Sequence, residues 1–193
     1  MKHNKSLIIS SSILISFIIQ FSFTYSIISA NLIPETCKKL SQAESKVYYD
    51  FCEAALGTAP GSANATSLTQ LGSISFNLDI SEVEPILTKI DTLLKDPKSE
   101  LDPTTVDALK ACTELYSGAR DDLVSGLGNF EAEDYLMAKT NASGALDKVV
   151  SCENGFKKKQ GMVSVLSTEN SDFVKLVAIS IGFTKLLGVA LLN

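Results

Sequence analysis

The side chains with the most chemical potential in this 193-residue sequence are four cysteines, one histidine and a surplus of carboxylates. The histidine is His3, two residues from the start. If the N-terminus is removed, no imidazole remains. A Ser-His-Asp or Cys-His nucleophile and a histidine-built metal site are then both excluded. Cys37, Cys52, Cys112 and Cys152 lack the short C-x-x-C clamps of a zinc site, so disulfide chemistry is expected of them. Four cysteines allow three connectivities, of which sequential pairing is the simplest. Cys37–Cys52 would close a separation of 15 residues and Cys112–Cys152 one of 40. In the loop-entropy picture these are worth about 3 and about 4 kcal/mol.

Acidic residues number 22 against 17 basic ones, a formal charge of −5. That balance argues against a nucleic acid as main partner, since phosphate binding needs a basic face. Carboxylates gather at Glu82 and Glu84, at Asp121 and Asp122, and in Glu131-Ala132-Glu133-Asp134. Such pairs can serve as acid and base. Glycoside cleavage also needs an open cleft, which a packed helical protein offers poorly, so solvated helix faces are the expectation. Glu-x-x-His pairs for a di-iron centre and a calcium-loop pattern are both missing. No catalytic residue, metal or cofactor is therefore expected.

Lys157-Lys158-Lys159 complements a helix C-terminus, or steers toward an acidic partner or polysaccharide. Tyr48, Tyr49 and Phe51 beside Cys52 are expected to dock a hairpin on itself or on the rest of the chain, with a contact patch as the alternative. Asn64-Ala65-Thr66 and Asn141-Ala142-Ser143 fit the N-glycosylation pattern. Asn64 falls in a predicted loop and is the better acceptor, whereas Asn141 falls within a predicted helix.

The elements that must position these residues are helical almost throughout. Lys2 and Lys5 precede an apolar run from Leu7 to about Ile28, which reads as a secretory signal over residues 1–29. Its removal would leave 164 residues and, without the two lysines, a charge of −7. The remaining domain, 30–193, divides into a hairpin over about 32–57 and a bundle over about 66–192. The first long helix, Thr66 to Leu94, carries Leu68, Leu71, Ile74, Leu78, Val83, Ile86, Ile90 and Leu93. Pro85 should kink or split it near Ser81.

The second helix starts with Asp102 as N-cap and Pro103 behind it. Its stripe is Val106, Leu109, Cys112, Tyr116, Ala119, Leu123 and Leu127, ended by Gly128 and Asn129. The third, Glu131 to Lys158, carries Tyr135, Ala138, Ala142, Ala145, Leu146, Val149, Cys152 and Phe156. With Cys112 and Cys152 on core-facing stripes, one bond can staple two antiparallel neighbours. The fourth, Ser171 to Leu192, turns Phe173, Val174, Val177, Ile181, Leu187 and Leu191 inward. Lys175 and Lys185 interrupt its apolar run and favour a buried bundle helix over a lipid-anchor signal. The fold class expected is all-α: an up-and-down four-helix bundle with an N-terminal helical hairpin and two disulfides.

Several stretches together carry a resemblance. They are Thr36-Cys37-Lys38, Tyr49-Asp50-Phe51-Cys52, Ala108-Leu109 with Cys112, Tyr116 and Ala119, and Ser151-Cys152-Glu153-Asn154-Gly155-Phe156. In this order they resemble the plant invertase and pectin methylesterase inhibitor family. Thr184-Lys185-Leu186-Leu187-Gly188 adds a likeness to the branch that includes a tree-pollen allergen. The resemblance implies a helical hairpin on a four-helix bundle and the pairing Cys37–Cys52 and Cys112–Cys152. It also implies a one-to-one complex that covers the active-site cleft of a pectin methylesterase or an acid invertase in the cell wall. Characterised invertase inhibitors carry Pro-Lys-Phe where this sequence has Tyr135-Leu136-Met137, the residues then implied for target contact.

The expectation is a secreted, apoplastic, non-catalytic inhibitor that takes no cofactor and meets no membrane after signal cleavage. The alternatives are a helical carrier of a small apolar ligand and a non-inhibitory, allergen-like relative.

Overall fold

The computed structural model describes residues 32–96, 101–157 and 163–190. The expected signal segment, Lys158, Lys159 and Leu191 lie outside them. Helix α1 covers residues 32–43, and α2 spans Tyr49–Thr58, followed by a 3-10 turn at Ser62–Asn64. The four long helices are α3 (Leu68–Lys95), α4 (Pro103–Glu131), α5 (Tyr135–Phe156) and α6 (Ser167–Ala190).

Contacts at both ends of each helix pair fix the topology. Gly72 meets Phe130 while Glu84 lies 3.9 Å from Arg120, so α3 and α4 run antiparallel. Gly126 lies against Asn141 while Cys112 bonds Cys152, so α4 and α5 do the same. Gly188 meets Tyr135 and Asn170 meets Glu153 across α5 and α6. Ser75 meets Ser180 and Lys89 pairs with Glu169 across α3 and α6. The result is an up-and-down four-helix bundle, α6 closing the ring against α3. Cys37–Cys52 joins α1 to α2 with Cα atoms 5.7 Å apart, and Cys112–Cys152 joins α4 to α5 at 4.9 Å.

Local signals set the helix starts. Ser67 accepts from the Gln70 N–H and caps α3, and Asp102 accepts from the Thr104 N–H and caps α4. Helix α3 continues unbroken through Pro85. Proline removes the donor for the Ser81 carbonyl, but both residues face solvent, where water can replace it. The expected split at Ser81 does not occur.

Helix α4 also outruns the expected stop at Gly128 and Asn129. It ends at Glu131 because Phe130 is fully buried and holds the last turn in place. Val106 and Leu127, placed on the inner stripe, are half-buried, and Thr105, Ala108, Gly126 and Phe130 complete the inner face instead. On α3 the inner face is Leu71, Gly72, Ser75, Phe76, Asp79, Val83, Ile86 and Ile90. Leu68, Ile74, Leu78 and Leu93 are half-buried at its edges. Two polar residues inside displaced the apparent apolar phase.

Helix α5 begins at Tyr135 rather than Glu131, capped by Asp134, and buries all eight residues of its expected stripe. Helix α6 begins at Ser167, four residues before its expected start, with Val174 and Leu187 half-buried. It is long and apolar enough to cross a membrane, with half of its most apolar window buried in the protein. Phe173, Val177, Ile179, Ile181 and Phe183 are buried. Its outer side receives the hairpin: Gly182 lets Leu40 and Val47 approach closely, and Lys185 pairs with Glu44. Phe51 is half-buried with Lys175 over its ring, so it docks on the bundle, while Tyr48 stays exposed.

Candidate functional site

The α4–α5 turn is a three-residue connection whose shape is set by its own backbone. The Glu133 N–H donates to the Phe130 carbonyl at 3.0 Å and the Asp134 N–H to the Asn129 carbonyl at 2.9 Å. This is a Schellman closure, with Glu133 in the left-handed position (φ 61°) that glycine normally takes. The Asp134 carboxylate then accepts from the Met137 N–H at 3.1 Å and starts α5. One helix is terminated and the next begun with little freedom between them.

An aromatic chain fastens the turn to the bundle. The Tyr135 ring meets Phe130 edge-on at 5.3 Å, and Phe130 lies tilted on Phe76 at 5.4 Å. Gly72 makes room for the Phe130 ring, since a Cβ there would sit 2.2 Å from its Cζ. The Tyr135 hydroxyl is bonded to Thr69, yet its pKa is raised, first by burial and then by the Glu133 charge.

Sequence reasoning grouped Tyr135, Leu136 and Met137. The structure turns Tyr135 inward (7% exposed) as an anchor, while Leu136 (74%) and Met137 (45%) project from the first turn of α5. Across from them the last turns of α6 present Leu186, Gly188 and Val189, with Val189 59% exposed. Between the two helices lies an open groove of about 850 Å³. Glu133, Asp134, Lys139 and Lys185 mark its polar boundary, and the walls are mainly apolar. Lys185 is bound to Glu44. Burial is the largest influence on the Glu44 carboxyl and pushes its pKa up. The Lys185 hydrogen bond and charge, with the Lys46 N–H and charge, outweigh it and lower the pKa overall.

The α6 wall was missed from sequence. The available signal was an apolar surplus: α6 carries more apolar residues than one inward stripe needs, and the excess surfaces at Val189. The remaining candidates are scattered. Glu82 and Glu84 lie on α3, Asp121 and Asp122 on α4, and Asp122 pairs with Lys148. They do not converge on one cleft. Asn64 is exposed in the 3-10 turn, whereas Asn141 is half-buried on α5, facing Gly126.

Comparison with known proteins bears on what such a surface is for. The sequence model of the family described as "Plant invertase/pectin methylesterase inhibitor" matches residues 31–183. A protein of Platanus acerifolia named "Putative invertase inhibitor" is 41% identical over 180 residues, 93% of this chain and 98% of that one. "Pectinesterase inhibitor 12" of Arabidopsis thaliana is 33% identical over 156 residues, 81% of this chain and 87% of that one. Among solved structures, a mutant form of a pectin methylesterase inhibitor from Arabidopsis superposes with a TM-score of 0.63 at 19% identity. It covers 77% of this chain and 94% of that one. At that identity the likeness concerns the fold.

Proposed function

Because this chain belongs to the plant invertase/pectin methylesterase inhibitor family, we propose that it blocks its target by presenting Leu136 and Met137 on the rigid α4–α5 end. The protein is a proteinaceous inhibitor of a pectin methylesterase or an invertase, and the match over residues 31–183 carries that reading. The geometry of the turn supports the choice of contact face. Two large apolar side chains are exposed beside an apolar groove, on a backbone already fixed by a Schellman closure and an aspartate cap. A preorganised surface loses little conformational entropy on association. Tyr135 contributes indirectly, by anchoring the turn to Phe130.

In this reading the chain binds and does not catalyse, and it works outside the cell in the wall. The exposed Asn64 is its main glycan acceptor. A reservoir for a small apolar ligand is not favoured by the core. Phe76, Tyr116, Phe130, Phe156, Phe173 and Phe183 are fully buried within the bundle.

The purified disulfide-bonded chain is expected to inhibit at least one enzyme in a panel of pectin methylesterases and acid invertases, between mildly acidic and neutral pH. Leu136→Glu with Met137→Glu should weaken that inhibition at least about tenfold, since buried interface charges without partners are costly. Helix content and melting should stay unchanged. No inhibition of any panel member defeats the reading, and full inhibition by the double variant defeats the choice of face.

A further inference from the structure

A second groove, of about 390 Å³, lies where the hairpin crosses α5 and α6, and it shares no lining residue with the first. Lys46, Tyr48, Val150, Asn154, Lys157 and Lys175 line it. Leu136 and Glu153 are 17 positions apart on the same helix, which at helical rise separates the two grooves by about 25 Å.

The charge here opposes that of the molecule. The protein carries −5, yet three lysines and a single carboxylate, Glu153, line this groove. Glu153 is already occupied, accepting from the Asn170 side-chain amide at 2.7 Å. Lys175 is held in place, its ammonium 2.7 Å from Asp172 and 5.2 Å from the centre of the Phe51 ring. Lys46 and Lys157 form no ion pair among the described residues and are both exposed.

The uncharged lining is equally particular. Tyr48 is 62% exposed, an aromatic ring with no core role. Val150 and Val174 supply apolar surface, and Asn154 and Ser171 supply an exposed amide and hydroxyl. Sugars present flat C–H faces together with hydroxyls that both donate and accept. An amphipathic ring, a short apolar strip and neutral polar groups suit those features. Ammonium groups suit a carboxylate through charge-assisted hydrogen bonds. The volume is at the lower end of the range for ligand clefts.

We propose that this groove binds an acidic oligosaccharide, a chain of uronate units, through Lys46, Lys157 and Lys175 with Tyr48 as the stacking surface. The site is separate from the face that inhibits an enzyme. One molecule can therefore hold a charged polymer and a protein target together. An acidic peptide would meet the same lysines but would not need the tyrosine, and that difference decides between them.

The test uses the full disulfide-bonded chain and calorimetric titration at low salt. The probes are an oligogalacturonate of about ten units, long enough to overfill a cleft of this size, its methyl ester, a neutral glucan oligomer and poly-glutamate. The free acid should bind measurably, with affinity falling as salt rises. The ester and the neutral oligomer should bind at least about tenfold more weakly, having lost the charge-assisted bonds. Lys46→Glu with Lys157→Glu should cut binding of the free acid at least about tenfold, and Lys157→Arg should retain it. Tyr48→Ala should weaken the uronate several-fold and leave poly-glutamate unaffected. Lys110→Glu, on the exposed side of α4 and lining neither groove, should change nothing, and every variant should keep its melting temperature and enzyme inhibition. The proposal is overturned if the free acid does not bind at millimolar concentration. It is also overturned if the double charge reversal binds as the parent does, or if poly-glutamate binds as tightly as the uronate.

Discussion

Asp79 sits fully buried on α3, and its neighbours determine its protonation. Ser180 of α6 donates to its Oδ2 at 2.5 Å, Ser75 and Ser180 touch at 2.9 Å, and Ser75 donates to the Gly72 carbonyl at 2.8 Å. The other Asp79 oxygen, Oδ1, is buried with no hydrogen-bond partner among the described residues, which favours a proton on the carboxyl. Burial, only partly offset by the Ser180 hydrogen bond, raises the Asp79 pKa well above the ordinary 3.8. The folded chain thus holds this proton more tightly than the unfolded chain. Its contribution to stability is complete below the unfolded value and is lost as pH rises through the folded one. Across that window the loss is about 1.4 kcal/mol per pH unit. Glu44, with its lowered pKa, acts in the opposite sense and loses its contribution as pH falls. Asp79→Asn isolates the first effect: urea midpoints from pH 4 to 8 should decline less steeply than in the parent. Parallel profiles would falsify this account. Asp79 was not legible in the sequence because an interior carboxyl looks like any other polar residue until its helix phase is known.

At the scale of elements, two glycines of α3 and α4 make opposite predictions. Gly72→Ala drives a Cβ to 2.2 Å from the buried Phe130 ring. That ring touches both Phe76 and Tyr135, so it has little room to yield, and a loss of about 1–3 kcal/mol is expected. A Cβ at Gly128, near the exposed end of α4, meets nothing within 4 Å. Gly128→Ala should therefore stabilise by up to about 1 kcal/mol. Denaturant melts of the two variants should shift in opposite directions, and a shared sign would count against this packing. The same region shows what sequence could and could not give. The α5 stripe was legible in full because small and apolar residues recur at helical spacing from Tyr135 to Phe156. The end of α4 was not, because Gly128-Asn129 is a common stop and only the distant pocket for Phe130 carries the helix past it. The start of α5 moved for a related reason, since Asp134 caps it while Glu131 still belongs to α4.

For the whole molecule, the two disulfides divide the labour unequally. Cys112–Cys152 spans 40 residues and joins two bundle helices, whereas Cys37–Cys52 spans 15 within the hairpin. Replacing both bundle cysteines by alanine should remove about 4 kcal/mol and lower the main unfolding transition. The hairpin replacement should remove about 3 kcal/mol. Its first effect is expected on the docking of α1 and α2, seen as faster amide exchange at Leu40 and Val47 than in the bundle. Equal exchange throughout would show that the hairpin and bundle unfold as one. The helical architecture was legible from spacing, but the target-facing surface was less so. Tyr135, Leu136 and Met137 are adjacent in sequence and differ only in which way the helix turns them. Their groove partner at Val189 lies more than fifty positions further along the chain.

The closing of α6 against α3 also has a consequence in time. The Ser75–Ser180 and Asp79–Ser180 contacts join residues 105 and 101 positions apart, and α6 follows α3, α4 and α5 along the chain. Until it emerges, the α4–α5 pair can form and oxidise locally, but the inner face of α3 has nothing to close upon. Without α6 the other three long helices form an unfinished trough. The 24 residues of α6 close the bundle, so truncations within that helix should damage the fold out of proportion to their length.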